Sequence, residues 1–229
     1  MGIVIRGISS MATRLVLAEL TAVYRQAVGV EVAIESVGGV DAAKRVQAGE
    51  ALDVVILAAD AIDKLVAGGS VLAGSRIDLV RSPVAIAVRE GELPPDVSNE
   101  DALRCAVLAA SRPGYSTGPS GTALLGLFAR WGIADQLRER LVQAPAGVPV
   151  AQLLAEGKVD LGFQQLSEML AAPGIRVIGG MPPGTEIVTI FSGGVCAASA
   201  QSEAVWTLLD WLKSSAAAPA KLRHGMEPA

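Results

Sequence analysis

Short β-branched runs alternate with longer helical patterns through the first 70 residues, and this alternation limits the fold more than any other feature. The runs IVIRGI, VEVAIES and LDVVILA predict strands, and the segments that follow them, MATRLVLAELTAVYRQA, VDAAKRVQAGE and DAIDKLVAGG, predict helices. Such a chain predicts a largely parallel sheet covered by helices, which is an α/β fold. Ligands of these sheets bind at the carboxyl ends of the strands, so we expect a site at that edge.

A polar segment with two prolines, ELPPDVSNEDAL, separates these elements from a second set. In the second set RCAVLAA predicts a strand, SRPGYSTGPSGT a long loop, ALLGLFARWGI a helix and LGFQQL another strand. TEIVTIFSGGVCAAS predicts a further extended segment, and a helical region follows it. The sequence therefore predicts two α/β halves, each with a connection rich in Gly and Ser between a strand and a helix.

The composition argues against several classes of protein. The 229 residues are 51% hydrophobic and 18% charged, which is typical of a globular protein with a sizeable core. A net charge of −4 with scattered basic residues offers no patch for nucleic acid. No apolar run approaches the roughly 18 residues of a membrane span, and the N-terminal segment lacks the long apolar region of a secretory signal. We expect no nucleic-acid partner, no membrane insertion and a cytoplasmic location as written, or a periplasmic one if a signal peptide was removed.

Metal and cofactor chemistry finds little support in the sequence. The chain has one histidine, His224, and its two cysteines, Cys105 and Cys196, lie far apart in apolar runs. They predict small buried side chains rather than a disulfide or a metal site. The loop GYSTGPSGTALL lacks the Lys of a phosphate-binding P-loop and the second Gly of a nucleophile elbow. We therefore predict no metal and no cofactor.

Serines and glycines stand at the first two turns from strand to helix. Ser9 and Ser10 precede the first helix, and Gly38 and Gly39 precede the second. A serine in this position can cap the helix by accepting a hydrogen bond from a backbone amide of the first turn. It can also help to hold an oxyanion, which the free N–H groups and the positive end of the helix dipole attract. Both alternatives remain open on this stretch alone.

The loop of the second half offers a similar set of neutral donors. It contains Ser116, Thr117, Ser120 and Thr122, and glycines such as Gly121 leave its backbone accessible. A helix follows immediately, so hydroxyls and amides together can donate to an anion.

Three further side chains are candidates for contact with the same ligand. Arg112 offers a planar fork that matches a carboxylate, and Tyr115 stands at the start of the loop. Gln164 ends the strand LGFQQ together with Gln165, and because strand side chains alternate we expect one of the two to point inward. Arg112 has the alternative of a solvated surface charge, and Gln164 that of satisfying nearby backbone.

Together these motifs resemble the molybdate-binding-like branch of the bacterial solute-binding proteins, which have the type II periplasmic-binding fold. The resemblance rests on GISSMATRLVLAEL, AGEALDVVIL, GSVLAGSRIDLVRSPVAIAVREG, YSTGPSGT, LLAEGKVDLGFQQLSEML and HGMEP. It extends over nearly the whole chain. The same group includes aconitate isomerase, a cofactor-free enzyme built on this fold.

The resemblance implies a two-lobed protein with a ligand cleft between the lobes. Lobe one would comprise residues 1–81 and 192–229, lobe two would comprise residues 82–191, and two crossing strands would act as a hinge. In the family, small oxyanions or carboxylates are held by serine hydroxyls and helix N-terminal amides. The matching positions in this chain are Ser9, Ser10, Gly38, Gly39, Ser120, Gly121 and Thr122.

Two functions follow as alternatives. As a binding protein the chain would capture a small anion and release it unchanged, to a transporter permease if the protein is exported. As an isomerase of an unsaturated polycarboxylic acid such as aconitate it would need a general base, for which Asp41, Asp60 and Glu168 stand at plausible positions. For the ligand we favour an organic polycarboxylate over molybdate, because metabolic acids are abundant in the cytoplasm and Arg112 offers a guanidinium fork.

Overall fold

The computed structural model describes residues 3–229, and the chain has the α/β fold that the sequence predicts. Strands and helices alternate along most of its length. In chain order the elements are β1 (Val4–Ser10), α1 (Arg14–Val28), β2 (Glu31–Val37), α2 (Gly39–Gln47), β3 (Val54–Ala58), α3 (Ala59–Ala67), β4 (Ile77–Arg89), α4 (Glu100–Ala109), β5 (Pro113–Tyr115), α5 (Pro119–Arg130), α6 (Ala134–Leu137), β6 (Val142–Gln143), α7 (Val150–Ala155), β7 (Leu161–Gln165), α8 (Leu166–Met169), β8 (Ile175–Gly180), β9 (Val188–Val195), α9 (Ser202–Lys213), α10 (Ala218–Arg223) and β10 (Glu227–Pro228).

The chain divides into two compact units. Unit 1 comprises the described residues up to Ser82 together with 190–229, and unit 2 comprises 83–189. Two strands, β4 and β9, have residues in both units. The hinge expected at these strands stays a prediction.

Unit 1 is built on the strand order β2-β1-β3-β9. β1 pairs in parallel with both β2 and β3, while β9 is antiparallel to β3. The helix α1 ends at Gly29, whose φ of 79° is in the left-handed region that glycine adopts without strain. Parallel pairing of β1, β2 and β3 brings their carboxyl ends to one edge of the sheet, as the alternating pattern predicts.

Two apolar clusters cover the faces of the unit 1 sheet. One joins the buried face of α1, including Leu20 and Tyr24, to Leu208 and Leu212 of α9. The other packs α2 and α3 against the opposite face through residues such as Ile62. The near-continuous apolar run of β3 is buried throughout, which is typical of a strand covered on both sides.

Unit 2 has the strand order β4-β7-β5-β6, with β8 also paired to β4. β5 is parallel to β6 and β7, and β7 is antiparallel to β4. α4 and α5 cover one face, where Phe163 of β7 lies 6.2 Å from Phe128 of α5 between ring centroids. α7 covers the other face through Leu153 and Leu154.

One predicted strand is wrong. RCAVLAA lies in α4, which begins after Asn99, and the Asn99 side chain accepts a hydrogen bond from the N–H of Ala102 at 3.0 Å. Acidic residues occupy the first turn, and Leu103, Ala106 and Val107 form its buried face. The cap and the helical spacing of the buried residues therefore decide the structure of this short run, in which Val107 is the one β-branched residue.

Two further predictions concern the burial of the cysteines and the length of the helices. Cys196 is buried as predicted, whereas Cys105, on α4, is exposed, and both thiols are free. Within residues 3–229 no helix is long and apolar enough to cross a membrane.

Candidate functional site

The carboxyl ends of β1 and β2 bring two serine hydroxyls together in unit 1. Ser9 and Ser36 are partners in the parallel register, and their Oγ atoms lie 2.8 Å apart. Ser9 is fully buried, and its hydroxyl is also 3.3 Å from the carbonyl oxygen of Ser10. Ser36 was not among the predicted site residues, because its role depends on strand pairing that a single sequence does not reveal.

Ser10 caps the turn that follows β1. Its Oγ accepts a hydrogen bond from the N–H of Ala12 at 3.3 Å, and its carbonyl accepts one from the Thr13 hydroxyl at 3.0 Å. The capping alternative therefore holds for Ser10, and a role for this residue in anion contact stays a prediction.

Gly38 and Gly39 begin α2, close to the end of β2. Gly38 is the N-cap residue, and no side chain caps the helix there. α3 likewise begins after Ala58 without a side-chain cap. The first N–H groups of a helix have no partner within the helix and carry its positive dipole end, so both starts are suited to an anion.

In unit 2 the loop between β5 and α5 brings a second hydroxyl pair together. The Oγ atoms of Ser116 and Ser120 lie 3.0 Å apart, and Ser120 is buried in the first turn of α5. Gly118 is the N-cap residue of α5 and provides no side-chain cap. A Cβ at Gly121 would lie 1.9 Å from the carbonyl oxygen of Ser116, so only glycine fits this position.

Tyr115 and Thr122 flank that pair differently. Tyr115 is half-buried, and its carbonyl accepts a hydrogen bond from the N–H of Ala144 at 2.8 Å. Thr122 is exposed on the first turn of α5. Tyr115 thus belongs to the packed base of the loop, and Thr122 to its surface.

The two glutamines at the end of β7 have different roles. Gln164 is buried, and its Oε1 accepts a hydrogen bond from the N–H of Ala151 at 3.3 Å, in the first turn of α7. Gln165 is equally buried, and its Nε2 donates to the Thr189 hydroxyl at 2.8 Å. Its Oε1 has no hydrogen-bond partner, which holds for few buried side-chain atoms within residues 3–229. Gln165 is therefore the stronger candidate for ligand contact, although the sequence favoured Gln164.

Gln165 lies on the side of the unit 2 sheet that α5 covers. Side chains alternate along a strand, so Gln165 shares a face with Phe163, which packs against α5. The carboxyl ends of β5 and β7 lie side by side, since Tyr115 pairs with Phe163. Gln165 and the Ser116–Ser120 pair thus belong to the same edge and the same face of this sheet.

Arg112 lies at the amino end of β5, whereas the serine loop follows its carboxyl end. The sequence placed Arg112 at the end of a strand, but that segment is the helix α4. Arg112 precedes Pro113, the first residue of β5, whereas the serine loop follows Tyr115. Its Nη2 donates to the carbonyl of Gly157 at 2.9 Å, and its backbone N–H donates to Asp160 Oδ1 at the same distance. The structure does not bring Arg112 together with the hydroxyl pair of unit 2.

The candidate general bases and the histidine are distributed over several elements. Asp41 and Asp60 are exposed in the first turns of α2 and α3, and Asp60 pairs with Lys64 at 3.6 Å. Glu168 is half-buried in the short helix α8. His224 Nε2 lies 2.9 Å from Glu19 Oε2, and hydrogen bonds from Arg223 and then His224 lower the pKa of Glu19. That contact links α1 to the end of α10, which is a structural role.

The chain matches the family described as bacterial extracellular solute-binding protein over residues 5–227. It belongs to this family, which confirms the resemblance. An aconitate isomerase from Pseudomonas sp. is 38% identical to it over 216 residues, covering 92% of this chain and 82% of the relative.

Solved structures share the fold at low identity. The periplasmic molybdate-binding protein of Azotobacter vinelandii superposes with a TM-score of 0.80 at 19% identity, covering 97% of this chain and 98% of that one. The sulfate-binding protein SubI of Mycobacterium tuberculosis H37Rv superposes with a TM-score of 0.81 at 17% identity, covering 99% and 87%.

Proposed function

We propose that this protein binds a small anion through neutral donors at the carboxyl ends of its strands. The observation that carries the proposal is the hydroxyl pair that each unit forms at this edge, Ser9 with Ser36 and Ser116 with Ser120. With a net charge of −4 the chain does not attract anions through its overall field. Local dipoles therefore have to hold the ligand.

In unit 1 the donors are hydroxyls and helix starts. When the Ser9 hydroxyl donates to Ser36, the hydrogen of Ser36 is left for a ligand oxygen. In the reverse arrangement the Ser9 hydrogen bonds to the carbonyl of Ser10. The uncapped start of α2 at Gly38 and Gly39 adds backbone N–H groups at the same edge.

In unit 2 the Ser116–Ser120 pair and the start of α5 supply the corresponding donors. Gln165 extends this set. If the Gln165 side-chain amide is rotated by a half-turn, its oxygen accepts a hydrogen bond from the Thr189 hydroxyl, which can donate as well as accept. The NH2 group then takes the position of the oxygen that has no partner and offers its N–H donors to a ligand.

For the ligand class we propose an organic polycarboxylate. The support is the 38% identity to a relative named aconitate isomerase, whereas the structures named for molybdate and sulfate are below 20% identical. The earlier argument from Arg112 no longer contributes, since its guanidinium belongs to the opposite end of β5.

The experiment is a calorimetric titration with cis-aconitate, trans-aconitate, citrate, tricarballylate, molybdate and sulfate. A hydrogen bond to a charged group contributes about 1.5–3 kcal/mol, so Ser9→Ala and Ser120→Ala should each weaken binding of the preferred anion roughly 10- to 150-fold. Binding of molybdate or sulfate alone would contradict the polycarboxylate class. Unchanged affinities in both serine variants would contradict the site.

Two serines serve as matched controls. Ser75 is buried in unit 1, where its hydroxyl donates to Leu72 and accepts from Val195, and Ser98 is exposed in unit 2. Ser75→Ala should lower thermal stability, and Ser98→Ala should change little. Neither should change the affinity for the anion.

A second candidate function is cofactor-free isomerisation of an unsaturated polycarboxylic acid such as aconitate. The name of the 38% identical relative favours it. Incubation of cis-aconitate with the purified chain, followed by proton NMR, tests it directly. Appearance of trans-aconitate that Ser9→Ala and Ser120→Ala abolish would favour catalysis, whereas tight binding without turnover would leave the binding role.

For partners and location we propose an exported binding protein that delivers its ligand to a transporter permease. The family description names extracellular proteins, and one structural neighbour is named as the substrate-binding domain of a molybdenum ABC transporter. Cell fractionation of the native host, followed by co-purification of membrane partners, tests both points.

A further inference from the structure

A cavity in unit 2 lies at the amino end of β5, away from the serine loop. It has a volume of about 390 Å³, which is within the range of small-molecule sites. Its walls include Arg89 at the end of β4, Arg112 before β5 and the turn at Gly157. None of the residues assigned to the proposed anion site lines it.

Two guanidinium groups converge on the Gly157 turn. Nη2 of Arg112 donates to the Gly157 carbonyl at 2.9 Å, and a Cβ at Gly157 would lie 3.5 Å from Nη1 of Arg89. Gly157 has a φ of +67°, which favours glycine and leaves this approach open. Both guanidinium groups thus lie beside this one turn, at the wall of the cavity.

The nearby carboxylates are committed to other donors. Asp160 accepts from the N–H groups of Ser111 at 2.6 Å and Arg112 at 2.9 Å, one on each oxygen. Glu156 pairs with Lys158 at 2.7 Å. Within residues 3–229 neither Arg89 nor Arg112 forms an ion pair, so their remaining donors are available to a ligand. Asp160 and Glu92 both line the cavity, and the negative charges of their carboxylates oppose an anion there.

We propose that this cavity is a second binding site, for a small carboxylate with an apolar body. The planar forks of Arg89 and Arg112 match the two oxygens of a carboxylate. Alanine side chains of α4, Ala106 and Ala109, and the almost fully exposed Leu93 provide apolar wall and rim. The site is separate from the proposed function, because Arg112 and the serine loop are at opposite ends of β5.

The test uses glutarate as the probe and the full chain carrying Ser9→Ala and Ser120→Ala, so that the first site is silenced. Calorimetry on this variant should still detect one glutarate per chain. Adding Arg89→Gln and Arg112→Gln should weaken that binding at least tenfold, and Arg112→Lys should weaken it less. Glu92→Gln should tighten it a few-fold, since a repelling charge is removed. Inorganic phosphate, which lacks an apolar body, should bind more weakly than glutarate.

Arg14→Gln with Arg25→Gln, both exposed on α1, removes the same charge and should leave glutarate binding unchanged. The proposal is overturned if the silenced chain does not bind glutarate, or if the Arg89 and Arg112 substitutions have no larger effect than this control. Failure of the proposed function would instead appear in the chain that already carries Arg89→Gln and Arg112→Gln, as binding of the preferred anion that Ser9→Ala and Ser120→Ala do not weaken.

Discussion

Each unit forms a pair of serine hydroxyls at a strand edge, but the two pairs are held in different ways. Ser9 and Ser36 are 27 residues apart and meet through the parallel register of β1 and β2. Ser116 and Ser120 are four residues apart and meet within one loop and the first turn of α5. The pair in unit 1 therefore depends on tertiary pairing, whereas the pair in unit 2 depends on local backbone shape.

Because of this difference, the geometry of the hydroxyl pair in unit 2 depends on a single glycine, Gly121. The loop passes so close to α5 that a Cβ at Gly121 would meet the Ser116 carbonyl at 1.9 Å. In unit 1 seven register pairs align β1 with β2, so the position of Ser9 relative to Ser36 is distributed over the whole strand.

The largest expected effect is that of Gly121→Ala. The loop has to move away from α5, and overpacking of this kind costs about 1–3 kcal/mol of stability. The Ser116–Ser120 pair should separate, so binding of the preferred anion should fall roughly 100-fold, as calorimetry would measure.

Gly126→Ala is the matched control on the same helix, because a Cβ there meets nothing within 4 Å. This change should stabilise the chain by about 0.5–1 kcal/mol and leave binding unchanged. If Gly121→Ala behaved like Gly126→Ala, the local origin of the unit 2 pair would be wrong.

A smaller effect separates the two glutamines at the end of β7. Gln165→Leu removes an amide whose Oε1 has no partner, so binding should weaken roughly tenfold. It also removes the donor to the buried Thr189 hydroxyl, so stability should fall by about 1–3 kcal/mol. Gln164→Leu removes the acceptor for the Ala151 N–H at the start of α7, so stability should fall by about 1–3 kcal/mol while affinity stays the same. Urea unfolding and titration of both variants provide the measurement, and a loss of affinity confined to Gln164→Leu would reverse the assignment.

The sequence predicted the unit 1 fold closely because its signals are local and consistent. β1, α1 and β2 lie where the periodicity placed them, and Gly29 ends α1 as expected. In unit 2 the prediction failed at RCAVLAA, which is helical and follows the Asn99 cap. The sequence therefore placed Arg112 at the carboxyl end of a strand, whereas the structure places it at the amino end of β5.

The candidate site shows the same limit. Ser9, Ser10 and Ser120 were predictable as residues beside helix starts, since that placement follows from the order of elements. Ser36 was not, because its role requires the register of β1 and β2. The choice of Gln164 over Gln165 stays untested by the sequence, because it requires knowledge of which amide has an atom without a partner. Alternation along β7 indicates that Gln164 and Gln165 face opposite sides, but it does not say which side holds the ligand.

The smallest expected effect is a pH dependence of stability, which compares the hydrophobic cores of the two units. The unit 1 core contains Lys221, which is almost fully buried and donates from Nζ to the Leu79 carbonyl at 2.8 Å. Among the described residues of unit 2, no lysine is buried. Burial lowers the pKa of Lys221 below its ordinary value of 10.5. The unfolded chain therefore binds more protons than the folded chain between these two pKa values, and unfolding free energy should rise with pH in that window.

Tryptophan fluorescence can assign this pH dependence to one unit. Trp211 contacts Tyr24 in unit 1 at 5.3 Å between ring centroids, whereas Trp131 lies in unit 2, so Trp131→Phe leaves reporters in unit 1 only. Urea unfolding at several pH values below about 9.5 avoids Tyr24, whose pKa is raised by burial and whose contribution has the opposite sign above pH 10. Burial also raises the pKa of Cys196 in unit 1, and its contribution has the same opposite sign above its ordinary value of 9.0, so the series is measured in a Cys196→Ala background. Stability reported from unit 1 should rise with pH, and Lys221→Met should remove that rise, because its side chain does not titrate. If the rise persisted in Lys221→Met, the amine would not be its source. If a chain carrying Trp206→Phe and Trp211→Phe, in which Trp131 reports from unit 2, showed the same slope, the two units would unfold together.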